Sequence, residues 1–325
     1  MDIFDFLTLL GGLALFLYGM GTMGDGLAKL SGGRMERLLE RLTSRRLTAV
    51  LLGMTVTAVI QSSSATTVMV VGFVNSGMMR LSQAVGVIMG ANIGTTITSW
   101  LLSLTGIESS DFFLQLLKPS SFSPVLAVIG VSLLMFSKKE KKKEAGTILA
   151  GFAILMTGME TMSGAVKPLA QMDGFTRIFT LFSNPVLGML AGALLTAVLM
   201  SSSASVGILQ ALCSTGVVTY SAAIPIIMGQ NIGTCVTALL SAIGAGRNAK
   251  RAAAVHLYFN VIGTALFMTA FYLANSVWQF EFLREAASPA GIAGVHSLFN
   301  IGTAAVLFPF GNELERLATA TIPEH

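Results

Sequence analysis

Charge is what this chain has least of. Only 11% of its 325 residues are Asp, Glu, Lys or Arg, against about 25% in a soluble domain. The mean hydropathy is +0.75. Together these exclude a soluble enzyme, a nucleic-acid binder and a disordered chain. Cysteine is nearly absent: Cys213 and Cys235 lie in apolar stretches and read as small buried hydrophobes, not as a disulfide. Proline is sparse at 8 residues while glycine reaches 34, a mix that suits close-packed membrane helices. The N-terminus, Met1-Asp2-Ile3, has no basic stretch ahead of its first apolar run. That run therefore reads as a retained span, not a cleaved signal.

Long apolar runs are what the chain does have. A spanning helix needs about 20 apolar residues. Candidate segments are 4–27, 47–77, 82–105, 122–137, 145–166, 185–216, 221–245, 252–275 and 290–310. Segments 47–77 and 185–216, at roughly 31 residues, are too long for one comfortable span and too short for two with a turn. Each has a polar serine cluster at its centre, so each reads as a re-entrant hairpin, leaving seven full spans. With that parity the basic loops 29–46, 138–143 and 247–251 share one side, together with Arg80 and Arg316. The positive-inside rule makes this side cytoplasmic, with the N-terminus outside, the C-terminus inside and the protein in the inner (plasma) membrane.

The chain also contains itself twice. Gly90-Ala-Asn-Ile-Gly-Thr-Thr96 returns as Gly229-Gln-Asn-Ile-Gly-Thr-Cys235, Ser62-Ser-Ser-Ala65 as Ser201-Ser-Ser-Ala204, and Gly19-Met-Gly-Thr-Met23 as Gly158-Met-Glu-Thr-Met162. All three pairs keep one offset, 139 residues. An odd number of spans separates the two units, which places them upside down relative to each other. The expected fold is therefore an all-α polytopic membrane protein of one transmembrane domain, 1–325. It has a first inverted repeat (5–105), a linking span and basic cytoplasmic loop (106–144), a second repeat (145–245), and two further spans with a tail (246–325). Each repeat carries a re-entrant hairpin and a broken transmembrane helix. Inverted repeats with broken helices near the midplane are the signature of secondary transporters.

The polar motifs suggest what is carried. Where a hairpin turns, one helix ends and another begins. The new helix offers free N–H groups and the positive end of its dipole to an anion, and the old one offers carbonyl oxygens to Na⁺. Ser62, Ser63, Ser64, Ser201, Ser202 and Ser203 are the candidate anion ligands. Gln61, Thr66, Thr67, Asn92, Thr95, Thr96, Ser205, Gln230, Asn231 and Thr234 supply oxygens for a cation. Gly90 and Gly94 permit local unwinding of the span between them. The competing reading is that these small hydroxyl residues only glue helices together, which the matched duplication opposes. No Lys or Arg occurs in 47–79 or 185–246. An anion would be held by backbone and hydroxyl donors, with co-bound cations neutralising it and coupling the two ligands. Accessory candidates are Glu160 and the echoed pairs His256/Asn260 and His296/Asn300, whose members share a helix face. Two histidines without nearby carboxylates or thiolates make a poor metal site, so no metal beyond Na⁺ and no organic cofactor is expected.

At Gln61-Ser-Ser-Ser-Ala-Thr-Thr67, Ser201-Ser-Ser-Ala204, both Asn-Ile-Gly-Thr segments and the His-x-x-Phe-Asn pairs, the chain resembles the bacterial branch of the type II sodium–phosphate cotransporter family. The resemblance covers residues 5–310. It implies a non-enzymatic symporter that imports inorganic phosphate on the inward Na⁺ gradient, with the two serine segments in the pathway. The chain departs from the family pattern at Met200, where a glutamine often precedes the second serine run. Rival readings are transport of another small anion such as a dicarboxylate or sulfate, coupling to H⁺, an intramembrane serine hydrolase, and a passive channel. The hydrolase is opposed by the duplication of the serine and histidine patterns and by the lack of a Gly-x-Ser-x-Gly elbow. The expected partners are phosphate, Na⁺ and the lipid bilayer, with homo-oligomerisation left open.

Overall fold

The computed structural model describes residues 2–41, 45–107, 111–116 and 118–323. Residues 42–44 of the first basic loop and the terminal 324–325 lie outside this set. The described chain is a succession of helices: α1 (Ile3–Ser31), α2 (Arg34–Arg41), α3 (Arg46–Ile60), α4 (Ser63–Asn75), α5 (Leu81–Ser103), α6 (Phe112–Leu116), α7 (Pro119–Phe136), α8 (Glu140–Val166), α9 (Asp173–Phe182), α10 (Pro185–Leu199), α11 (Ser202–Leu212), α12 (Tyr220–Ser241), α13 (Arg247–Trp278), α14 (Pro289–Leu307) and α15 (Gly311–Thr321). Thr219 and Ala286 form an isolated bridge, and no strand occurs among the described residues.

Among the described residues, seven helical stretches are long and apolar enough to cross a membrane, α1, α5, α7, α8, α12, α13, and α14 running on into α15, or eight if the bent α9–α10 pair is one span. The chain is a multi-pass, all-α membrane protein. Between the spans sit two pairs of shorter apolar helices, α3/α4 and α10/α11, where the sequence predicts the hairpins. Backbone chemistry explains each turn. α3 ends at Gln61 (φ 61°) and α10 at Met200 (φ 54°), both left-handed, and Ser62 and Ser201 then cap the returning helices. Side chains other than glycine seldom adopt that conformation. Its repetition at equivalent positions marks the turns as built features.

Burial orders the helices. In α5 and α12, 78% of the apolar window is buried, against 17% in α1 and α7 and 22% in α13. The two helices carrying Asn-Ile-Gly-Thr are thus the centre of the molecule, while residues such as Phe4, Val128, Phe136, Val198 and Trp278 cover its exposed outer surface. That apolar exterior is what lipid contact requires.

Close packing is set by glycine. A Cβ on Gly90 would lie 1.9 Å from the Val50 carbonyl oxygen, and one on Gly229 would lie 1.9 Å from that of Met189. The first helix of each hairpin therefore rests backbone to backbone on the buried span of its own repeat. This corrects one sequence-based expectation. The segments around Asn92 and Asn231 are not unwound: α5 and α12 pass through them as continuous helices. Their glycines serve close approach. The breaks in the helical path lie instead at the hairpin tips and at a 104° bend between α9 and α10, where Asn184 caps α10 and Pro185 opens it.

α1 and α8 pack antiparallel. Gly12 sits against Gly158 and Met162, while Gly19 sits against Gly151 and Leu155. Under the sequence offset, Gly12 corresponds to Gly151 and Gly19 to Gly158. The contact therefore maps onto itself when the two units are exchanged.

Candidate functional site

The two serine runs meet. Ser63 Oγ lies 3.4 Å from Ser202 Oγ, and both residues are buried. This contact too joins equivalent positions. Beside it the Ser64 hydroxyl donates to the Met200 carbonyl at 3.3 Å, so each tip touches the other. The Ser62 and Ser201 hydroxyls accept the Ala65 N–H at 3.1 Å and the Ala204 N–H at 3.2 Å as N-caps, which leaves each its own O–H to donate. The next donors are engaged as well, Thr66 N–H by the Ser62 carbonyl and Ser205 N–H by that of Ser201. Helix geometry leaves the N–H groups of Ser63 and Ser64, and of Ser202 and Ser203, without an intrahelical partner. Two helix N-termini thus converge, each with two unclaimed backbone donors, flanking hydroxyls and a positive dipole end. An arrangement of this kind can seat a small oxyanion.

Around the seat the side chains are held from behind. The Gln61 amide oxygen accepts the Thr98 hydroxyl at 2.9 Å, and its amide nitrogen donates to the Ala58 carbonyl. Thr66 accepts the Thr57 hydroxyl at 2.9 Å, and Thr67 donates back to the Ser63 carbonyl at 3.0 Å. In the central helices Asn92 donates to the Ile88 carbonyl at 2.9 Å. Thr95, Thr96 and Thr234 donate to carbonyls three or four residues back. These bonds use the donors and leave oxygen lone pairs free. Ser203, Ser205 and Gln230 are buried.

The accessory candidates divide. Glu160 is exposed on α8 and does not join the cluster. His256, Asn260, His296 and Asn300 are all buried. Asn231 donates to the Asn300 side-chain oxygen at 3.1 Å, tying α12 to α14. Asn260 donates to the Cys235 sulfur at 3.5 Å, tying α12 to α13. Asn260 and Asn300 donate to the carbonyls of His256 and His296, respectively. The echoed pairs thus stitch the last spans to the second Asn-Ile-Gly-Thr helix. Cys213 and Cys235 are free and buried, as expected.

Sequence reasoning missed Thr57, Thr98, Thr196 and Gln210. The Gln210 amide nitrogen bridges the Ser99 and Pro289 carbonyls, both at 3.0 Å, and so anchors α11 to α5 and α14. A signal existed for Thr57 and Thr196: they are themselves a pair at the repeat offset.

The chain is similar to known proteins. The model of the Na⁺/Pi-cotransporter family matches residues 15–164 and 154–283. A Bacillus subtilis (strain 168) relative, "Uncharacterized protein YqeW", is 30% identical over 313 residues, which are 96% of both chains. "Putative inorganic phosphate export protein YjbB" of Escherichia coli (strain K12) is 27% identical over 97% of this chain, but the match spans only 55% of that protein. Human "Sodium-dependent phosphate transport protein 2B" is 41% identical over 87 residues, 25% of this chain and 13% of that protein. No solved structure matches the chain.

Proposed function

Since the chain belongs to the Na⁺/Pi-cotransporter family, a family of transporters and not of enzymes, we propose that it moves inorganic phosphate inward by symport with Na⁺. The observation that carries this reading is the meeting of two serine-capped helix N-termini at Ser63 and Ser202, 3.4 Å apart between hydroxyls. Phosphate sits between the tips, taking the N–H groups of Ser63, Ser64, Ser202 and Ser203 and the adjacent hydroxyls. It is tetrahedral and rich in acceptor oxygens, so two opposed donor clusters suit it. Neutral donors alone leave its charge uncompensated in a low-dielectric interior. Na⁺ held by hydroxyl, amide and carbonyl oxygens supplies the compensation, and neither ligand is favourable without the other.

The two units act as inverted repeats. Supporting this, the α1–α8 packing and the Ser63–Ser202 contact both map onto themselves under exchange of the units, as an axis relating the halves requires. A pair of equivalent but inverted halves has two equivalent arrangements, one open to each side, and rocking between them gives alternating access. In this reading the side that carries the basic loops and the C-terminus is the cytoplasmic one, as the positive-inside rule expects.

Labelled-phosphate flux in proteoliposomes tests the reading. Phosphate should accumulate above its equilibrium level with an inward Na⁺ gradient and not with an equal K⁺ gradient. Reversing the Na⁺ gradient should reverse the accumulation. Equal rates in Na⁺ and K⁺ would reject sodium coupling. Net efflux against an inward Na⁺ gradient would reject import and favour the direction in the name of the E. coli relative.

A further inference from the structure

Three helices bring basic side chains to one cleft, at the end of two spans. α1 closes at Gly32 (φ 57°), and Gly32 with Gly33 (φ 68°) turns the chain into α2. Gly26 of α1 packs against Ile148 of α8 and against the Glu144 carbonyl, which sets the end of α1 beside the start of α8. Between α1, α2 and α8 lies an open cleft of about 480 Å³. Lys29, Arg34, Arg37 and Lys141 line it, and Glu140 and Glu144 are the acidic residues there.

The charges in the cleft do not cancel. Glu140 is engaged by Lys143 at 3.7 Å, and among the described residues no carboxylate pairs with any of the four cations. Arg37 donates to the Gly32 carbonyl at 3.2 Å, and its guanidinium has further N–H groups to offer. The N–H groups of Glu140 and Lys141, at the start of α8, have no intrahelical partner. Like charges gathered in a concave site repel one another, and a bound anion relieves that repulsion. Membrane orientation calls only for basic residues on one side. It does not call for their convergence from three helices.

Location selects the anion. The cleft opens where the α1 and α8 spans end, the depth of phospholipid headgroups. Leu30 on its wall is 42% exposed, and only 17% of the apolar window of α1 is buried. A soluble anion has no use for an apolar wall, whereas a lipid lays its glycerol and acyl chains on it. Basic pockets between spans recognise anionic headgroups in this way.

We propose that this cleft binds an anionic phospholipid. Its phosphodiester takes N–H groups from Arg34 and Arg37, whose planar forks suit phosphate, and the charges of Lys29 and Lys141. The acyl chains follow the exposed side of α1. The bound lipid bridges α1 and α8, the helices on which the first and second units pack. The cleft shares no residue with the serine tips.

Thermal unfolding of the purified protein in a neutral detergent tests this, with phosphatidylglycerol, phosphatidylcholine or glycerol phosphate titrated in. Phosphatidylglycerol should raise the melting temperature in a saturable way, and phosphatidylcholine should not. Arg34→Gln/Arg37→Gln should need on the order of 25-fold more phosphatidylglycerol for the same shift, about fivefold for each basic side chain lost at an anionic lipid surface. Lys29→Gln/Lys141→Gln removes the cations of the other two helices and should weaken the response to a similar degree, so the result does not hang on one variant folding. Lys250→Gln/Arg316→Gln removes the same charge elsewhere and should respond as the unaltered protein does. Equal responses in all three variants would overturn the site and leave only diffuse attraction. No shift of the unaltered protein by phosphatidylglycerol would overturn it too. An equal shift by glycerol phosphate, lost in the same two variants, would overturn the lipid in favour of a soluble phosphate ester.

Discussion

Gly90→Ala and Gly229→Ala should each destabilise the protein by about 3 kcal/mol or more, the upper range for an overpacked core. In both cases the added methyl would sit 1.9 Å from a backbone oxygen. A side chain can rotate away from such a clash, but a carbonyl inside a helix cannot. The hairpin would have to lift off the central span. The clearest readout is folded, monodisperse protein recovered in detergent, with thermal unfolding of whatever survives. Gly21→Ala and Gly72→Ala are the controls, because a Cβ at either meets nothing within 4 Å. Both lie within helices, where alanine is favoured over glycine by up to about 1 kcal/mol, so they should be neutral or stabilising. Unaltered stability in Gly90→Ala would mean that hairpin and span are not packed as described.

The second large effect concerns transport and not folding. The double variant Ser63→Ala/Ser202→Ala should lose phosphate flux by at least about a hundredfold. It removes two hydroxyl donors to an anion, each worth about 1.5–3 kcal/mol. The fold should persist, because the caps of α4 and α11 come from Ser62 and Ser201. Ser62→Ala should behave differently, losing about 1 kcal/mol of stability with its cap. Wild-type flux in the folded double variant would remove the anion seat from the account.

These two predictions differ in how visible their basis was in sequence. The hairpins were legible because length and polarity disagreed with any simple span. Thirty-one residues with serines at the centre leave few alternatives once lipid forbids unpaired backbone. The serine tips were legible through duplication, and the structure brings the two runs into contact. The role of Gly90 was not. A glycine within a span serves equally for unwinding or for close approach, and only the partner backbone decides between them. The sequence does not say that Val50 offers its carbonyl there. Thr98 and Gln210 were invisible for the same reason, since each acts on a residue far away in the chain. Met200 was noticed for the amide it lacks. Its left-handed backbone, where glycine or asparagine would be ordinary, emerged only in the structure.

The central claim is that phosphate lies between the two tips, and protection of a tip residue tests it most directly. Met200 is 44% exposed, and its carbonyl accepts from Ser64 of the other tip. In a variant with Met200→Cys and with Cys213 and Cys235 replaced by alanine, the rate of maleimide labelling would be followed in the presence of phosphate or sulfate, each with Na⁺ or K⁺. Phosphate with Na⁺ should slow labelling in a saturable way, whereas sulfate, or phosphate with K⁺, should not. Labelling at one rate under all four conditions, in protein that still transports phosphate, would contradict the claim and move the anion away from the tips.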